Sequence, residues 1–226
     1  MEYKTELHCH SRDGSGCASE TAEGIVKKYL EHGYSTVCMT NHLLLMHDDT
    51  DREEWEKIAT EKWNAYEKLR EAAEKDGRGL NVLLGMEFRL RDTWNDYLLF
   101  GLDRDYLFNF DPSDMKDIRT FSNRVREDGM FLVQAHPFRY YMTVVNPDFM
   151  DGIEAYNGHS GHESHNEIAE MFAKYHGKIM TSGTDHHDPC HLPTGGIITD
   201  TEIKNNDDLL RILRSGDFRL IKTKLR

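Results

Sequence analysis

Leu7-His8-Cys9-His10 closes the first predicted strand, residues 3–8. Side chains alternate along an extended chain, so His8 and His10 face one side and Cys9 the other. Two imidazoles on one face, where a strand turns into a loop, make half of a metal site. The pattern recurs. In a chain with 13 histidines, ligand-type residues close four more segments: Asn41-His42, Met86-Glu87, Ala135-His136 and Asp185-His186-His187. Five such segment ends point to a polynuclear metal centre.

Working outward, strands and helices alternate. A helix is predicted over 19–32, capped by Ser19, with Glu23 in its first turn and Gly33 after its end. A strand follows at 35–40, then a long helix at 52–76, in which Trp55, Ile58, Ala59, Lys62, Tyr66, Leu69 and Ala73 recur near the helical period. Further strands are predicted at 80–86, 97–101, 130–135, 152–155, 178–182, 196–199 and 217–222, with helices at 113–128, 164–176 and 206–215. The alternation predicts an α/β fold: parallel strands in one sheet or barrel, a single domain over 1–226. Functional groups in such folds gather at the C-terminal ends of strands. His8, His10, His42, Glu87, His136 and Asp185 all fall there.

Composition excludes some functions. With 38% hydrophobic and 30% charged residues, the chain reads as globular. No segment approaches the roughly 18 apolar residues of a membrane helix. Met1-Glu2-Tyr3-Lys4 runs straight into a strand without a signal-type apolar region, so a cytoplasmic location and no membrane partner are expected. The net charge of -12 disfavours broad binding to a nucleic-acid backbone but not a small phosphorylated substrate, because bound cations reverse the local sign. The cysteines Cys9, Cys17, Cys38 and Cys190 show no framework spacing and are read as reduced thiols. Metal ligation is the lesser alternative for Cys17 and Cys190.

The ordered motifs resemble the PHP (polymerase and histidinol phosphatase) family. Glu6-Leu7-His8-Cys9-His10-Ser11 and Met39-Thr40-Asn41-His42 are similar to its first two motifs. Leu84-Gly85-Met86-Glu87, Ala135-His136-Pro137-Phe138-Arg139, Gly152-Ile153-Glu154-Ala155-Tyr156-Asn157 and Ser182-Gly183-Thr184-Asp185-His186-His187 follow in the family's order. The resemblance implies a distorted (β/α)7 barrel carrying two or three divalent ions (Zn, Mn or Fe) at its mouth, and hydrolysis of phosphate esters. By position it places His8, His10, Glu87 and Asp185 on one ion, Glu87 and His136 on a second, and His42 and His187 on a third. Two positions depart from the family pattern. Asp96 stands where a histidine usually serves the second ion, and Asp13 is the loop candidate for the third.

Such a centre hydrolyses phosphate esters with a metal-bound water as nucleophile, so no serine or cysteine nucleophile is needed. Arg139, directly after His136-Pro137-Phe138, and Arg12, in the first metal loop, are the candidates to grip phosphate. Arg89 and Arg91 share one face beyond Glu87 and are read as a solvated strand end. Glu154 and Asn157 are candidates to orient the ligands. His186 is expected to point away from Asp185 and His187. His159 and His191 are candidates for the mouth, His162 and His165 are read as solvent or capping residues, and His32, His47 and His176 as surface residues. The expected substrate is a small phosphomonoester such as histidinol phosphate or a nucleotide, with a short oligonucleotide as a further option. Tyr140, Tyr141 and Met142 are placed to stack on a ring or to pack the rim. Two other classes remain open: a non-catalytic metal-binding regulatory module, and an amidohydrolase-like metallohydrolase, which usually bridges its ions with a modified lysine.

Overall fold

The computed structural model describes residues 1–45, 50–91 and 93–223, so His47 lies outside the described residues. β1 (Tyr3–Cys9) leads through α1 (Ala22–Glu31) to β2 (Tyr34–Met39) and a short β3 (His42–Leu44). The long α2 (Arg52–Asp76) precedes β4 (Asn81–Arg89) and β5 (Asp96–Phe100). Then come α3 (Arg104–Asn109), α4 (Ile118–Glu127), β6 (Phe131–Gln134), β7 (Gly152–Asn157), α5 (Asn166–Tyr175), β8 (Ile179–Gly183), β9 (Ile197–Thr199), α6 (Asn206–Ser215) and β10 (Arg219–Leu220). No described helix is long and apolar enough to cross a membrane.

The sheet runs β10-β9-β1-β2-β4-β5-β6-β7-β8 and curls into a nearly closed barrel. β1, β2 and β4 are parallel, as are β6, β7 and β8. The expectation of parallel strands fails at β5, which is antiparallel to both β4 and β6. The link from β4 is too short for a crossover helix, and short links join antiparallel strands. The reversal puts the first residue of β5, Asp96, at the mouth reached by the last residues of the parallel strands. β9 and β10 are also antiparallel additions.

Both faces of the barrel wall are buried. Along β5, Tyr97 and Leu99 pack in the core with Trp55, Leu69 and Phe121, while Leu98 and Phe100 pack with Leu7, Phe131 and Val133. Leu209, Ile212 and Leu213 of α6 join the second cluster. α2 is capped by Asp51, which accepts from the Glu54 amide, and ends at Gly77 with φ +76°. Several predicted boundaries move: the strand expected at 80–86 runs on to Arg89, that at 217–222 shrinks to Arg219–Leu220, and two further shifts have a clear cause. Thr21, not Ser19, caps α1, because its hydroxyl accepts from the Gly24 amide while the Ser19 hydroxyl turns to Asp188. The predicted helix at 113–128 divides into a 3-10 turn, Pro112–Lys116, and α4, because the Asp117 carboxylate caps the Thr120 amide.

The wall closes at a seam on β1. The first half of β1 pairs with β9, from Tyr3↔Thr199 to Thr5↔Ile197. Its second half bonds instead to the segment after β8: the His10 amide donates to the His186 carbonyl (2.9 Å) and the His186 amide to the His8 carbonyl (3.2 Å). The chain slips between these two pairings at Gly195-Gly196, where a Cβ would meet backbone of Gly183 or Thr5. Glu6 braces the seam from inside, accepting from the amides of Leu7, His8 and Thr184 and from the Tyr29 hydroxyl.

Candidate metal centre

The side chains singled out from the strand ends converge on Glu87, which is fully buried. His8 Nε2 lies 3.3 Å from Glu87 Oε1 and 3.3 Å from Asp185 Oδ1. His10 Nε2 lies 3.3 Å from Glu87 Oε2 and 3.4 Å from Asp185 Oδ1. His42 Nδ1 is 2.8 Å from Glu87 Oε2, and His136 Nε2 is 3.1 Å from Glu87 Oε1. His187 Nδ1 stands 3.3 Å from Asp185 Oδ1. His42 reaches Glu87 because β3 pairs with β4 in a register that sets the two residues opposite one another. His136 and Asp185 hold positive φ, 28° and 55°, in the left-handed region that non-glycine residues rarely adopt. Such strain persists where the surroundings enforce it, often at functional sites.

The imidazoles are oriented from behind. His8 Nδ1 is 2.9 Å from Glu154 Oε1, and His10 Nδ1 is 3.0 Å from the Ser15 hydroxyl. Glu154 Oε2 also accepts from the His136 amide (2.8 Å) and from Asn157 Nδ2 (3.0 Å), which reaches Asp185 Oδ2 as well (3.1 Å). Despite their short approaches, His8 Nε2, His10 Nε2, His42 Nδ1 and Glu87 Oε2 lack a hydrogen-bond partner of acceptable geometry. Buried polar atoms are rarely left so. Nitrogen and oxygen lone pairs aimed at shared points suit divalent cations, and the donor set of imidazole and carboxylate suits Zn, Mn or Fe. Three of the groupings close enough to share an ion are His8-His10-Glu87, His8-His136-Asp185 and His10-His42-His187. Burial raises the Glu87 pKa, yet the His42 and His8 charges hold it well below the ordinary value. Glu154→Gln should weaken metal binding roughly 10- to 100-fold, the usual cost of losing a partner that orients a ligand. Titration of chelator-stripped protein with Zn would measure it.

Four sequence expectations change place. Asp13 is not brought to the cluster: its carboxylate pairs with Lys68 on α2 at 2.6 Å. Arg12 is exposed and lines an outer hollow with Asp13, Glu23 and Lys68, away from the cluster. The loop turns both outward because the Arg12 amide bonds the Glu20 carbonyl and Gly14 is pressed against Asn41. Asp96 does reach the cluster, 3.9 Å from His136 Nε2, but both its oxygens already accept from Arg89, at 2.7 and 2.8 Å. Arg89 is therefore an ion-pair partner at the rim rather than a solvated strand end. His162, read as a solvent or capping residue, lines the cavity beside His159 with the two rings stacked 4.4 Å apart.

The cavity above the cluster holds about 350 Å³ and is walled by Cys17, His42, Arg139, His159, His162 and His187 among others. Arg139 Nη1 lies 3.6 Å from Asp185 Oδ2 and Nη2 3.4 Å from Asp96 Oδ2, so its guanidinium is held beside the cluster. Cys17 is the wall residue that sequence reasoning undervalued. Burial raises its pKa, but hydrogen bonds with His187 and His42 bring it down to about 6. Nothing local in the Gly-Cys-Ala stretch signals this position.

His186 turns away from the cavity, buried beside Glu20 (3.5 Å). Burial raises the Glu20 pKa, but hydrogen bonds from His186 and Lys28 carry it down to about 2. The folded-state value is depressed, so this stability is present above pH 4.5 and is lost as pH falls toward 2. Glu20→Gln should flatten that acid limb. Thermal unfolding followed from pH 6 to pH 2.5 would test it; an unchanged limb would show that Glu20 contributes nothing.

A family model described as PHP domain matches residues 6–201. No curated protein matches the chain. Among solved structures, a two-domain protein from Bacteroides vulgatus, described as containing a predicted PHP-like metal-dependent phosphoesterase, is 16% identical with a TM-score of 0.66. The match covers 100% of this chain and 66% of that one, so the chain spans about two thirds of its length. An amidohydrolase from Chromobacterium violaceum, with bound sulfate and no metal, is 17% identical with a TM-score of 0.55, covering 96% of this chain and 97% of that one. A lesion-specific endonuclease from Pyrococcus furiosus is 15% identical with a TM-score of 0.58, covering 97% and 58%. At these identities the likenesses speak for the fold.

Proposed function

The chain belongs to the PHP domain family, and from that premise we propose that it is a metal-dependent phosphoesterase acting on a small phosphomonoester with a ring-bearing leaving group. The observation that carries this reading is the convergence of His8, His10, Glu87 and Asp185, with buried nitrogens lacking partners, beside the held guanidinium of Arg139. His8, His10, Glu87 and Asp185 would hold one ion, His136 and Glu87 would contribute to a second, and His42 and His187 to a third. When bound, divalent ions supply a hydroxide nucleophile at neutral pH and neutralise phosphoryl charge.

The chain's own groups do the rest. Arg139 receives phosphate oxygens, and its contacts with Asp96 and Asp185 fix its plane before substrate arrives. Because Arg89 binds both Asp96 oxygens more closely, the charge of Arg139 is only partly offset before substrate arrives. His159, pushed by burial down to about 4, stays neutral and offers a hydrogen bond to the ester oxygens. A second hollow of about 260 Å³ adjoins the first, shares Arg139 and His162 with it, and is walled by Trp94, Tyr140 and Tyr141. Trp94 and Tyr140 are 65% and 76% exposed, and flat aromatic faces of that kind beside a phosphate site favour a ring on the leaving group.

The test is phosphate release by chelator-stripped protein reloaded with Mn, Zn or Fe. The substrates are histidinol phosphate, a sugar phosphate, a 3′,5′-bisphosphonucleotide and a short oligonucleotide. Turnover of a monoester bearing an aromatic ring above the sugar phosphate supports the reading. Equal or absent turnover across the panel, in protein that binds metal, would overturn it. Arg139→Ala should lower kcat/KM by roughly 10²- to 10³-fold, the scale for one pre-organised charge partner.

A further inference from the structure

We propose that Cys17 supplies a thiolate ligand to the divalent ion held by His42 and His187. The proposal rests on reading the cluster as a metal centre, and it concerns one side of that centre. That side offers a grouping of imidazoles alone, His10, His42 and His187. Their rings crowd together, with centroids 4.5 Å apart for His10 and His42 and 4.2 Å for His10 and His187. His42 Nδ1 there is buried and without a hydrogen-bond partner. With His10 Nε2 committed to the ion beside Glu87 and Asp185, the two neutral imidazoles of His42 and His187 leave a divalent charge unbalanced. Asp13, the carboxylate expected from this loop, is turned outward to Lys68.

Cys17 takes the place facing the imidazoles. It lines the same cavity as His42 and His187, and the nearness of both rings lowers its thiol pKa. The loop that carries it is fastened on both sides of the grouping. The Ser15 hydroxyl accepts from the His42 amide at 2.9 Å, and the amides of Ser19 and Glu20 donate to the His187 carbonyl at 2.9 and 3.0 Å. The loop that carries the sulfur is thus fastened against His42 and His187 by bonds that precede any ion. A thiolate is a soft ligand and favours Zn or Co over Mn or Mg. Glu87 and Asp185 supply only carboxylate oxygens to the neighbouring position, which is harder. The two sides of one centre would then differ in the ion they prefer.

The test uses cobalt as the probe on the full chain, stripped with chelator and reloaded. A near-ultraviolet thiolate-to-cobalt charge-transfer band is expected, lost in Cys17→Ser and kept in Cys190→Ser. Thiol counting gives a second reading. Cys9 and Cys38 are buried while Cys17 and Cys190 are exposed, so two thiols should react in the metal-free protein and one in the loaded protein. Zn affinity at this position should fall in Cys17→Ser by more than the roughly 10- to 100-fold typical of an outer hydrogen-bond partner. Cobalt bound at unchanged stoichiometry with no such band, or with both thiols still reactive, would overturn the assignment of Cys17 and leave the metal centre standing. Failure to bind cobalt at all would overturn both.

Discussion

Glu87→Gln is expected to abolish metal-dependent phosphate release, by more than about 10³-fold in kcat/KM, while the chain stays folded. The loss exceeds the scale of removing one electrostatic group because Glu87 faces four imidazoles at once. His8, His10, His42 and His136 each approach its oxygens within 3.3 Å. The amide keeps the volume of the side chain but brings an NH2 donor to a place where lone pairs converge, and removes the negative charge that offsets two cations. Bound metal per chain, measured by atomic emission, should fall along with activity. A Glu87→Gln protein that keeps full metal content and turnover would remove Glu87 from the centre. His10→Ala and Asp185→Ala should behave alike, whereas His176→Ala, at the end of α5 and exposed, should be silent.

Gly195→Ala carries the largest expected effect on stability. A Cβ at 195 would stand 2.0 Å from the Gly183 carbonyl carbon and 2.5 Å from the Thr184 amide nitrogen. These are backbone atoms, so no side-chain rotation relieves the contact, and the strand end must move. Overpacking commonly costs about 1–3 kcal/mol, and a clash confined to backbone belongs at or above the top of that range. The displaced segment runs on into Asp185, so metal affinity should fall with the melting temperature. Gly16→Ala is the matched control, since nothing stands within 4 Å of a Cβ there. Equal melting temperatures for the two variants would show that the crossing between β8 and β9 yields more readily than its geometry indicates.

Much of this was legible in the chain because the informative signals are local. Alternation along Leu7-His8-Cys9-His10 needs no tertiary knowledge, and the helical spacing of Trp55, Ala59, Lys62, Leu69 and Ala73 is visible in one segment. The resemblance to the PHP family and the barrel agree with the family match and the fold found. The illegible parts depend on distant partners. Asp96 is claimed by Arg89 only because the antiparallel pairing of β4 and β5 sets them opposite one another. The outward turn of Asp13 and the placement of Cys17 on the cavity wall follow from bonds of their loop to Lys68 and His187, which lie well apart in sequence. Loop side chains take their direction from such contacts rather than from their neighbours in the chain.

The seam on β1 gives ion binding a mechanical meaning. His8 and His10 stand on one lip and Asp185 next to the other, and the closing hydrogen bonds are made by the backbone of His8, His10 and His186. An ion shared by these side chains would be a rivet through a joint that is otherwise held by two backbone hydrogen bonds, the Glu6 brace to the Thr184 amide and the pairing of β1 with β9. Saturating such a rivet at 100 times its dissociation constant adds about 2.7 kcal/mol to the folded state. The slow-exchanging amides of the barrel and the escape rate of the ion would then report the same opening event, so cation retention and the endurance of the wall become one property of the protein.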